Sequence, residues 1–152
     1  MHVHGWAQAH PGGSMRRHDD FGLVTGAARS GPRALQMAGV GIEDIDVVEL
    51  YDCYTYTVLV SLEDYGFCAK GEGGPYVQEA LSDRGSLHLN TGGGQLSSYY
   101  MWGMTPLSEA VLQARGAAGE RQVEDHDLVL VSGNGGILDH HSSLVLSPHP
   151  VA

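Results

Sequence analysis

Residues 45–66, IDVVELYDCYTYTVLVSLEDYG, decide the fold because two hydrophobic periods meet inside this one stretch. The first residues, IDVVEL, form an apolar run typical of a buried strand. From residue 53 to residue 67 the apolar positions Val58, Leu59, Leu62 and Tyr65 recur at intervals of three and four. That spacing predicts an amphipathic helix, which we expect to end at Gly66. A strand that leads directly into a helix is a building unit of layered α/β folds.

The rest of the chain continues this alternation of strands and helices. Strands are predicted at residues 2–9, 42–50, 86–90, 126–136 and 141–148, helices at 24–40, 53–67 and 105–119, and a long glycine-rich loop at 68–85. In the helix at 24–40, Ser30 is the expected cap, Pro32 fits the first turn and Gly39 is the stop, while Thr105 is the expected cap of the last helix. The order predicts a layered α/β fold with a largely parallel sheet and an antiparallel final pair.

Composition indicates one compact domain with no nucleic-acid or membrane surface. The 152 residues are 42% hydrophobic and 17% charged, with 22 glycines and a formal net charge of −10. Nucleic acids and anionic membranes are bound through clustered Lys and Arg, so this charge argues against both. Two cysteines suit a reducing compartment. Residues 1–13 lack the apolar run of a signal peptide and no transmembrane segment is visible, so we expect a cytoplasmic protein.

Three glycine-containing segments follow predicted strands: residues 49–55 with their distal loop at 71–74, residues 90–103 and residues 132–141. A single glycine after a strand is ordinary turn geometry, but loops beyond the strand ends of an α/β sheet share one crevice where ligands bind. None of the segments has the spacing of a dinucleotide-binding or Walker phosphate loop. We expect a substrate site in this crevice, lined by Gly93, Gly94, Asn134, Gly135 and Gly136.

Tyrosine is the favoured residue type for chemistry in these loops. Tyr51 is placed at a predicted helix N-terminus, which could stabilise a phenolate, and Tyr100 follows the glycine run; the alternative for both is aromatic packing. Cys53 could be a nucleophile, although a small buried thiol is the favoured interpretation. Among nine histidines only pairs are visible, His2 with His4 and His140 with His141, so surface or edge-strand positions are favoured and no metal site is predicted.

Three motifs in the correct order resemble the C-terminal half of a thiolase, especially the lipid-transfer and sterol-carrier branch. Residues 38–74 resemble the stretch in which Asn-Glu-Ala-Phe or His-Asp-Cys-Phe follows a strand. Residues 90–116 resemble the stretch that normally reads Gly-Gly-x4-Gly-His-Pro-Leu-Gly and enters a helix. Residues 128–146 resemble the terminal stretch that contains Cys-x-Gly. The resemblance implies one thiolase C-terminal-like domain over residues 1–152, with three α/β/α layers and a five-stranded mixed sheet.

The functional prediction depends on the positions at which this sequence differs from the family pattern. Tyr51 stands at the family's Asn or His, Tyr100 at the histidine of Gly-His-Pro, and Ser132 or Gly133 at the cysteine of Cys-x-Gly. Acyl transfer through an acyl-enzyme needs that histidine and that cysteine, whereas retro-aldol cleavage of a β-hydroxyacyl-CoA needs neither. The pattern resembles the thiolase-like aldolases of sterol side-chain breakdown, with Tyr51 and Tyr100 supplying hydroxyls and Tyr54 packing inward where the family has Phe.

The same resemblance implies how the chain works with other molecules. The nucleophilic cysteine of thiolases lies in the N-terminal half, so we expect a partner half or a homo-oligomer. The thiolase-like aldolases act with a small OB-fold acyl-CoA-binding protein, which is a possible second partner. No cofactor is expected besides the CoA thioester that serves as substrate. Two alternatives stay open: a thiolase-type acyltransferase half, and a non-catalytic module that binds lipids or acyl-CoA.

Overall fold

The computed structural model describes residues 1–10, 22–82, 85, 87–136, 138 and 140–151. Its elements are β1 (His2–Ala9), α1 (Ala27–Ala38), β2 (Val47–Glu49), α2 (Thr55–Tyr65), α3 (Gly73–Ala80), β3 (His88–Leu89), α4 (Gly94–Ser97), α5 (Met104–Ala114), β4 (Val129–Gly135) and β5 (His140–Ser147), with 3₁₀ turns at Ile42–Asp44 and Gly119–Arg121. No helix among these residues combines the length and the apolar content that a membrane span requires.

The strands form a five-stranded mixed sheet in the order β1-β5-β4-β2-β3, which confirms the predicted sheet. β2 lies parallel to β3 and β4, while β5 lies antiparallel to β4 and to β1. The antiparallel final pair is therefore confirmed, but the expectation of a largely parallel sheet is wrong. The reason is the position of β1, which pairs with the outer edge of β5 and adds a second antiparallel ladder.

Helices cover both faces of the sheet, as the apolar run in residues 128–131 predicts. Side chains alternate across each strand, so Val48 and Leu130 pack on the face that carries α1 and α2. Val47 and Val129 pack on the opposite face, against Ala110 of α5. Two hydrophobic clusters on opposite sides of one sheet give the three layers expected from the sequence.

The helix boundaries differ from the predicted ones where local signals were ambiguous. α1 begins at Ala27, so Ser30 and Pro32 lie inside the helix and the expected Ser30 cap is wrong. Gly39 ends α1 in the left-handed conformation, as predicted. α5 begins before Thr105, which instead accepts a hydrogen bond from the Met101 N–H at 2.9 Å. The segment predicted as a loop at residues 68–85 contains α3. Pro75 is compatible with this helix because it lies in the first turn, where a backbone N–H has no partner within the helix.

A buried polar cluster lies between the sheet and the helices α1 and α2. His141 Nε2 is 2.6 Å from Ser132 Oγ and 3.2 Å from the Tyr65 hydroxyl, which in turn is 2.7 Å from Ser143 Oγ. Ser30 Oγ completes the cluster at 2.8 Å from Ser143 Oγ. Only 2% of His141 is exposed, so the expectation of a surface or edge-strand histidine is wrong at this position. Burial lowers the pKa of His141 to about 4, so its imidazole is neutral in the folded protein.

We predict that this histidine makes the fold acid-sensitive. The unfolded chain binds a proton at His141 near the ordinary pKa of 6.5, whereas the folded chain does so only near 4, so the contribution of His141 to stability falls as the pH drops through that window. The loss should amount to about 3 kcal/mol in the free energy of unfolding. Urea unfolding between pH 7 and pH 4 measures it. The free energy of unfolding of His141→Gln should therefore rise relative to that of the parent as the pH falls from 7 to 4, while His88→Gln, at an exposed position of β3, should follow the parent. An unchanged acid slope in His141→Gln would refute the assignment.

Candidate functional site

A cavity of about 580 Å³ lies where the segments after β2 and β4 meet the segment between α4 and α5. Its lining combines aromatic rings with a glycine turn: Tyr51, Cys53, Tyr54, Tyr56, Thr57, Tyr100, Trp102, Asn134, Gly135, Gly136 and Leu138. Five of the residues predicted for the site therefore share one cavity: Tyr51, Tyr100, Asn134, Gly135 and Gly136. Strand ends of one sheet bring these segments together, as expected for an α/β crevice.

Tyr51 and Tyr100 form the polar part of this cavity. Tyr51 is 8% exposed, whereas Tyr100 is 61% exposed. Burial raises the pKa of Tyr51, and the neighbouring Tyr100 and the negative charge of Asp52 add to the effect. The expectation that a helix N-terminus stabilises a Tyr51 phenolate is therefore wrong, because α2 begins only at Thr55. Tyr51 keeps its proton over the physiological pH range and is suited to donate it.

The next residues of the motif differ from the sequence-based expectation. Tyr54 does not pack inward: it is 67% exposed and has the extended backbone of a helix-capping position. Cys53 is half-buried and lines the cavity, so the expected fully buried thiol is also wrong. Its Sγ lies 3.8 Å from Thr57 Oγ1. Tyr54 is exposed because the chain is still extended at this residue and turns into α2 only afterwards.

Gly93 and Gly94 do not line this cavity but form the turn into α4. Asp52, which is buried, accepts hydrogen bonds from the N–H groups of Gln95 at 2.8 Å and Leu96 at 3.3 Å. Both glycines have positive φ, and a Cβ atom on Gly94 would collide with the Asp52 carboxylate. The glycine run thus lets the loop close on Asp52 and thereby places the segment that carries Tyr100.

Sequence reasoning missed a buried carboxyl pair on the other face of the sheet. Glu49 is 1% exposed and accepts a hydrogen bond from the Thr91 N–H at 3.0 Å, while its Oε1 lies 2.8 Å from the Thr91 hydroxyl oxygen. The same hydroxyl lies 3.0 Å from Glu109, which is paired with Arg121 at 2.9 Å. Since one hydroxyl proton can serve only one carboxylate, the geometry favours a neutral Glu49. Burial raises the pKa of Glu49 to about 8, in agreement with this assignment.

Within the described part of the chain, no three His, Cys, Asp or Glu side chains are arranged to hold a metal ion. His10 and His140 lie together, with Nδ1 atoms 2.7 Å apart, beside a smaller cavity of about 250 Å³.

Two residues that line the 580 Å³ cavity, Trp102 and Leu138, were not singled out from the sequence. Their positions in glycine-rich loops were the only sequence signal that could have indicated them.

Comparison with known proteins identifies the family. Residues 7–148 match the model of the thiolase C-terminal domain-like family. An acetyl-CoA acetyltransferase of Methanothermobacter thermautotrophicus is 32% identical over 136 residues, which cover 86% of this chain and 36% of that protein. A steroid side-chain-cleaving aldolase of Thermomonospora curvata is 35% identical over 117 residues, which cover 76% of this chain and 28% of that protein.

A solved structure has the same fold. The Ltp2-ChsH2(DUF35) aldolase superposes with a TM-score of 0.84 at 31% identity, covering 95% of this chain and 38% of that chain. The chain thus spans roughly a third of the length of the relatives that it matches. The family model, the relatives and the five-stranded sheet agree: the chain belongs to the thiolase C-terminal domain-like family.

Proposed function

We propose that this chain is the C-terminal part of a thiolase-like enzyme that cleaves a carbon–carbon bond of a β-hydroxyacyl-CoA by a retro-aldol reaction. The observation that carries the proposal is that the hydroxyl-bearing side chains of Tyr51 and Tyr100 line one cavity. Two hydroxyls at a mostly apolar cavity suit proton transfer on a lipid-like acyl group. The relatives include both an aldolase and an acyltransferase, so the choice between these two reactions has to be argued from the side chains of the site.

The side chains argue against acyl transfer. Tyr100 stands where the thiolase pattern has its activating histidine. At the cysteine of that pattern the chain has Ser132, which is 1% exposed and contacts His141 inside the buried polar cluster, or Gly133, which has no side chain. Neither position supplies the thiol that acts as acid and base in acyl transfer. Retro-aldol cleavage has no such requirement and remains compatible with these residues.

The proposed reaction moves two protons and breaks one bond. A base removes the proton of the β-hydroxyl, the bond between Cα and Cβ breaks, and its electron pair forms the enolate of the thioester. The oxygen at Cβ becomes the carbonyl of an aldehyde or ketone. An acid then protonates Cα and completes the shortened acyl-CoA. No oxidant, reductant or free CoA enters this balance.

The acid, the proton acceptor and the oxyanion-binding residues are assigned here from the surroundings of each residue. Tyr51 is the proposed acid at Cα, because its raised pKa keeps the hydroxyl protonated. Tyr100, which is exposed and lines the same cavity, is proposed to take up the β-hydroxyl proton while it passes its own hydroxyl proton to solvent. Residues 134–136 form the proposed cradle for the enolate oxygen, since the backbone N–H groups of a glycine turn can approach an oxyanion closely.

Substrate choice tests the proposal against both alternatives. The chain, assembled with its N-terminal half, is offered a β-hydroxyacyl-CoA without free CoA, and separately a β-ketoacyl-CoA with free CoA. We expect turnover of the first substrate only, detected as an aldehyde or ketone. Thiolysis of the second substrate would instead establish an acyltransferase. Binding of both thioesters without turnover of either would establish a non-catalytic acyl-CoA-binding module.

We also predict that the isolated chain associates. Large apolar side chains are exposed along one segment near the cavity: Leu96, Tyr99, Tyr100, Met101, Trp102 and Met104. Such a concentration of exposed apolar surface marks an interaction site. We propose an N-terminal thiolase half as its partner, or a second copy when that half is absent, with an OB-fold acyl-CoA-binding protein as a possible further subunit. Sedimentation equilibrium should show dimers or larger species. A clean monomer at high concentration would contradict this prediction.

A further inference from the structure

A patch of polar side chains lies on one face of the sheet, beside the 250 Å³ cavity and outside the proposed reaction site. Gln8 of β1 is the register partner of Ser142 of β5. The same register, extended by two residues, brings His10 opposite His140 at the start of β5. Side chains two residues apart on a strand share a face, so these four side chains lie on the same side of the sheet. All four line the 250 Å³ cavity.

The space beside this polar patch exists because β4 carries glycine there. Gly133 is the register partner of Ser142, and Gly135 is the register partner of His140. A Cβ atom on Gly133 would lie 2.5 Å from Ser142 Oγ, and one on Gly135 would lie 3.9 Å from the His140 Cβ. A larger residue at either position would therefore fill the space next to the patch. The two glycines leave the polar patch open on the side of β4.

The two histidines of the patch bring their Nδ1 atoms together. These atoms are 2.7 Å apart, with ring centroids 4.6 Å apart and ring planes inclined by 57°. A hydrogen bond between two imidazole nitrogens requires a proton on one of them. Two nitrogens that bind one ion at right angles, each at about 2.0–2.1 Å, lie about 3 Å apart. The observed distance is close to this value, so a metal ion can replace the shared proton after a small rotation of the rings.

We propose that His10 and His140 bind a divalent transition-metal ion, with the amide oxygen of Gln8 as a third ligand and water in the remaining positions. On binding, the proton shared between the two Nδ1 atoms is released to solvent, and both imidazoles bind in the neutral form. Imidazole suits Ni²⁺, Cu²⁺ and Zn²⁺, and affinity for such ligands is highest for Cu²⁺. Nitrogens about 3 Å apart also fit the square-planar angle of Cu²⁺ better than the wider tetrahedral angle of Zn²⁺.

The ion joins two distant parts of the chain next to the proposed reaction site. His10 and His140 are 130 residues apart in sequence. Asn134 and Gly135 line both the 250 Å³ cavity and the 580 Å³ cavity, and both belong to the proposed cradle for the enolate oxygen. Because Gly135 is the register partner of His140, an ion bound at His140 stabilises the strand pair that carries this cradle. The metal site itself does not depend on the proposed reaction, since none of its ligands is assigned a step in it.

Binding of the metal ion alone to the full chain tests this proposal. Isothermal titration calorimetry measures the affinity for Cu²⁺, Ni²⁺ and Zn²⁺ separately, and electron paramagnetic resonance counts the nitrogen ligands of one equivalent of Cu²⁺. We expect two imidazole nitrogens. His10→Ala and His140→Ala should each lower the Cu²⁺ affinity at least about 10-fold, because even the loss of an outer-shell partner costs about 10- to 100-fold. His88→Ala, at an exposed histidine of β3, is the matched control and should keep the affinity of the parent.

Stability separates a built site from non-specific binding. An ion that binds only the folded chain raises the melting temperature, so Ni²⁺ should raise it in the parent and in His88→Ala, but not in His10→Ala or His140→Ala. Without metal, both of these variants should melt close to the parent, because both histidines are exposed. The proposal is overturned if the parent chain binds none of the three ions, or if its Cu²⁺ affinity is unchanged in His10→Ala and His140→Ala.

Discussion

Replacing Tyr51 by phenylalanine in the assembled enzyme should lower the rate of carbonyl release by about 10²–10⁴, the usual contribution of a general acid. The same loss is expected for Tyr100→Phe, because the proposed reaction needs a base for the β-hydroxyl as well as an acid for Cα. Phenylalanine keeps the ring and therefore the cavity wall, so KM should change much less than kcat. The measurement is the release of aldehyde or ketone from a β-hydroxyacyl-CoA under saturating substrate.

A matched control excludes a general effect of removing a phenol. Tyr76 of α3 lines a different cavity, beside Phe67, and Tyr76→Phe should keep the parent rate. The melting temperatures of all three variants should stay close to that of the parent, because the substitution conserves packing volume. Full activity in Tyr51→Phe would remove the tyrosine mechanism and leave Tyr51 and Tyr100 as packing residues.

The second large effect concerns stability and arises at Glu49. Because burial raises the pKa of Glu49 from 4.5 to about 8, the folded chain keeps a proton there that the unfolded chain loses first. The contribution of Glu49 is therefore fully present below about pH 4.5 and is lost as the pH rises to about 8, by up to about 5 kcal/mol. Glu49→Gln mimics the neutral carboxyl, so its free energy of unfolding should exceed that of the parent at pH 9 and approach it near pH 5.

Glu109, in the same cluster, is a control because its pKa is shifted in the opposite direction from that of Glu49. Burial raises its pKa, but the hydrogen bonds from Arg121 and Thr91 outweigh burial and the net pKa is lowered. Its contribution is present above its ordinary pKa of 4.5 and is lost as the pH falls, so Glu109→Gln should destabilise the fold at neutral pH. Urea unfolding of both variants from pH 5 to pH 9 measures the pair. Equal pH slopes in the parent and in Glu49→Gln would show that Glu49 is ionised in the folded chain.

The layered fold could be predicted because it depends on periodic patterns of apolar residues. The switch from strand to helix after Glu49, and the stops at Gly39 and Gly66, are local signals, and the structure follows them. The position of β1 could not be predicted in the same way, because pairing with β5 depends on residues at the two ends of the chain. α3 was expected to be a loop for a different, local reason. The glycines at its start outweigh the short run of helix-forming residues that follows them.

The candidate site could be predicted only in part. That Tyr51 and Tyr100 share a cavity follows from the rule that loops beyond strand ends meet at one crevice. The neutral state of Glu49 depends on Thr91 and Glu109, which come close to it only in the folded chain.

A single-turnover reaction in deuterium oxide, with a β-hydroxyacyl-CoA and no free CoA, tests the proposed chemistry most directly. Mass spectrometry of the products counts the thioesters formed and the deuterium at Cα. A retro-aldol reaction should yield one aldehyde or ketone and one shortened acyl-CoA with a single deuterium at Cα, and Tyr51→Phe should slow the appearance of both together. Recovery of the β-hydroxyacyl-CoA without any aldehyde or ketone, while a β-ketoacyl-CoA with free CoA is converted into two thioesters, would contradict the proposed reaction.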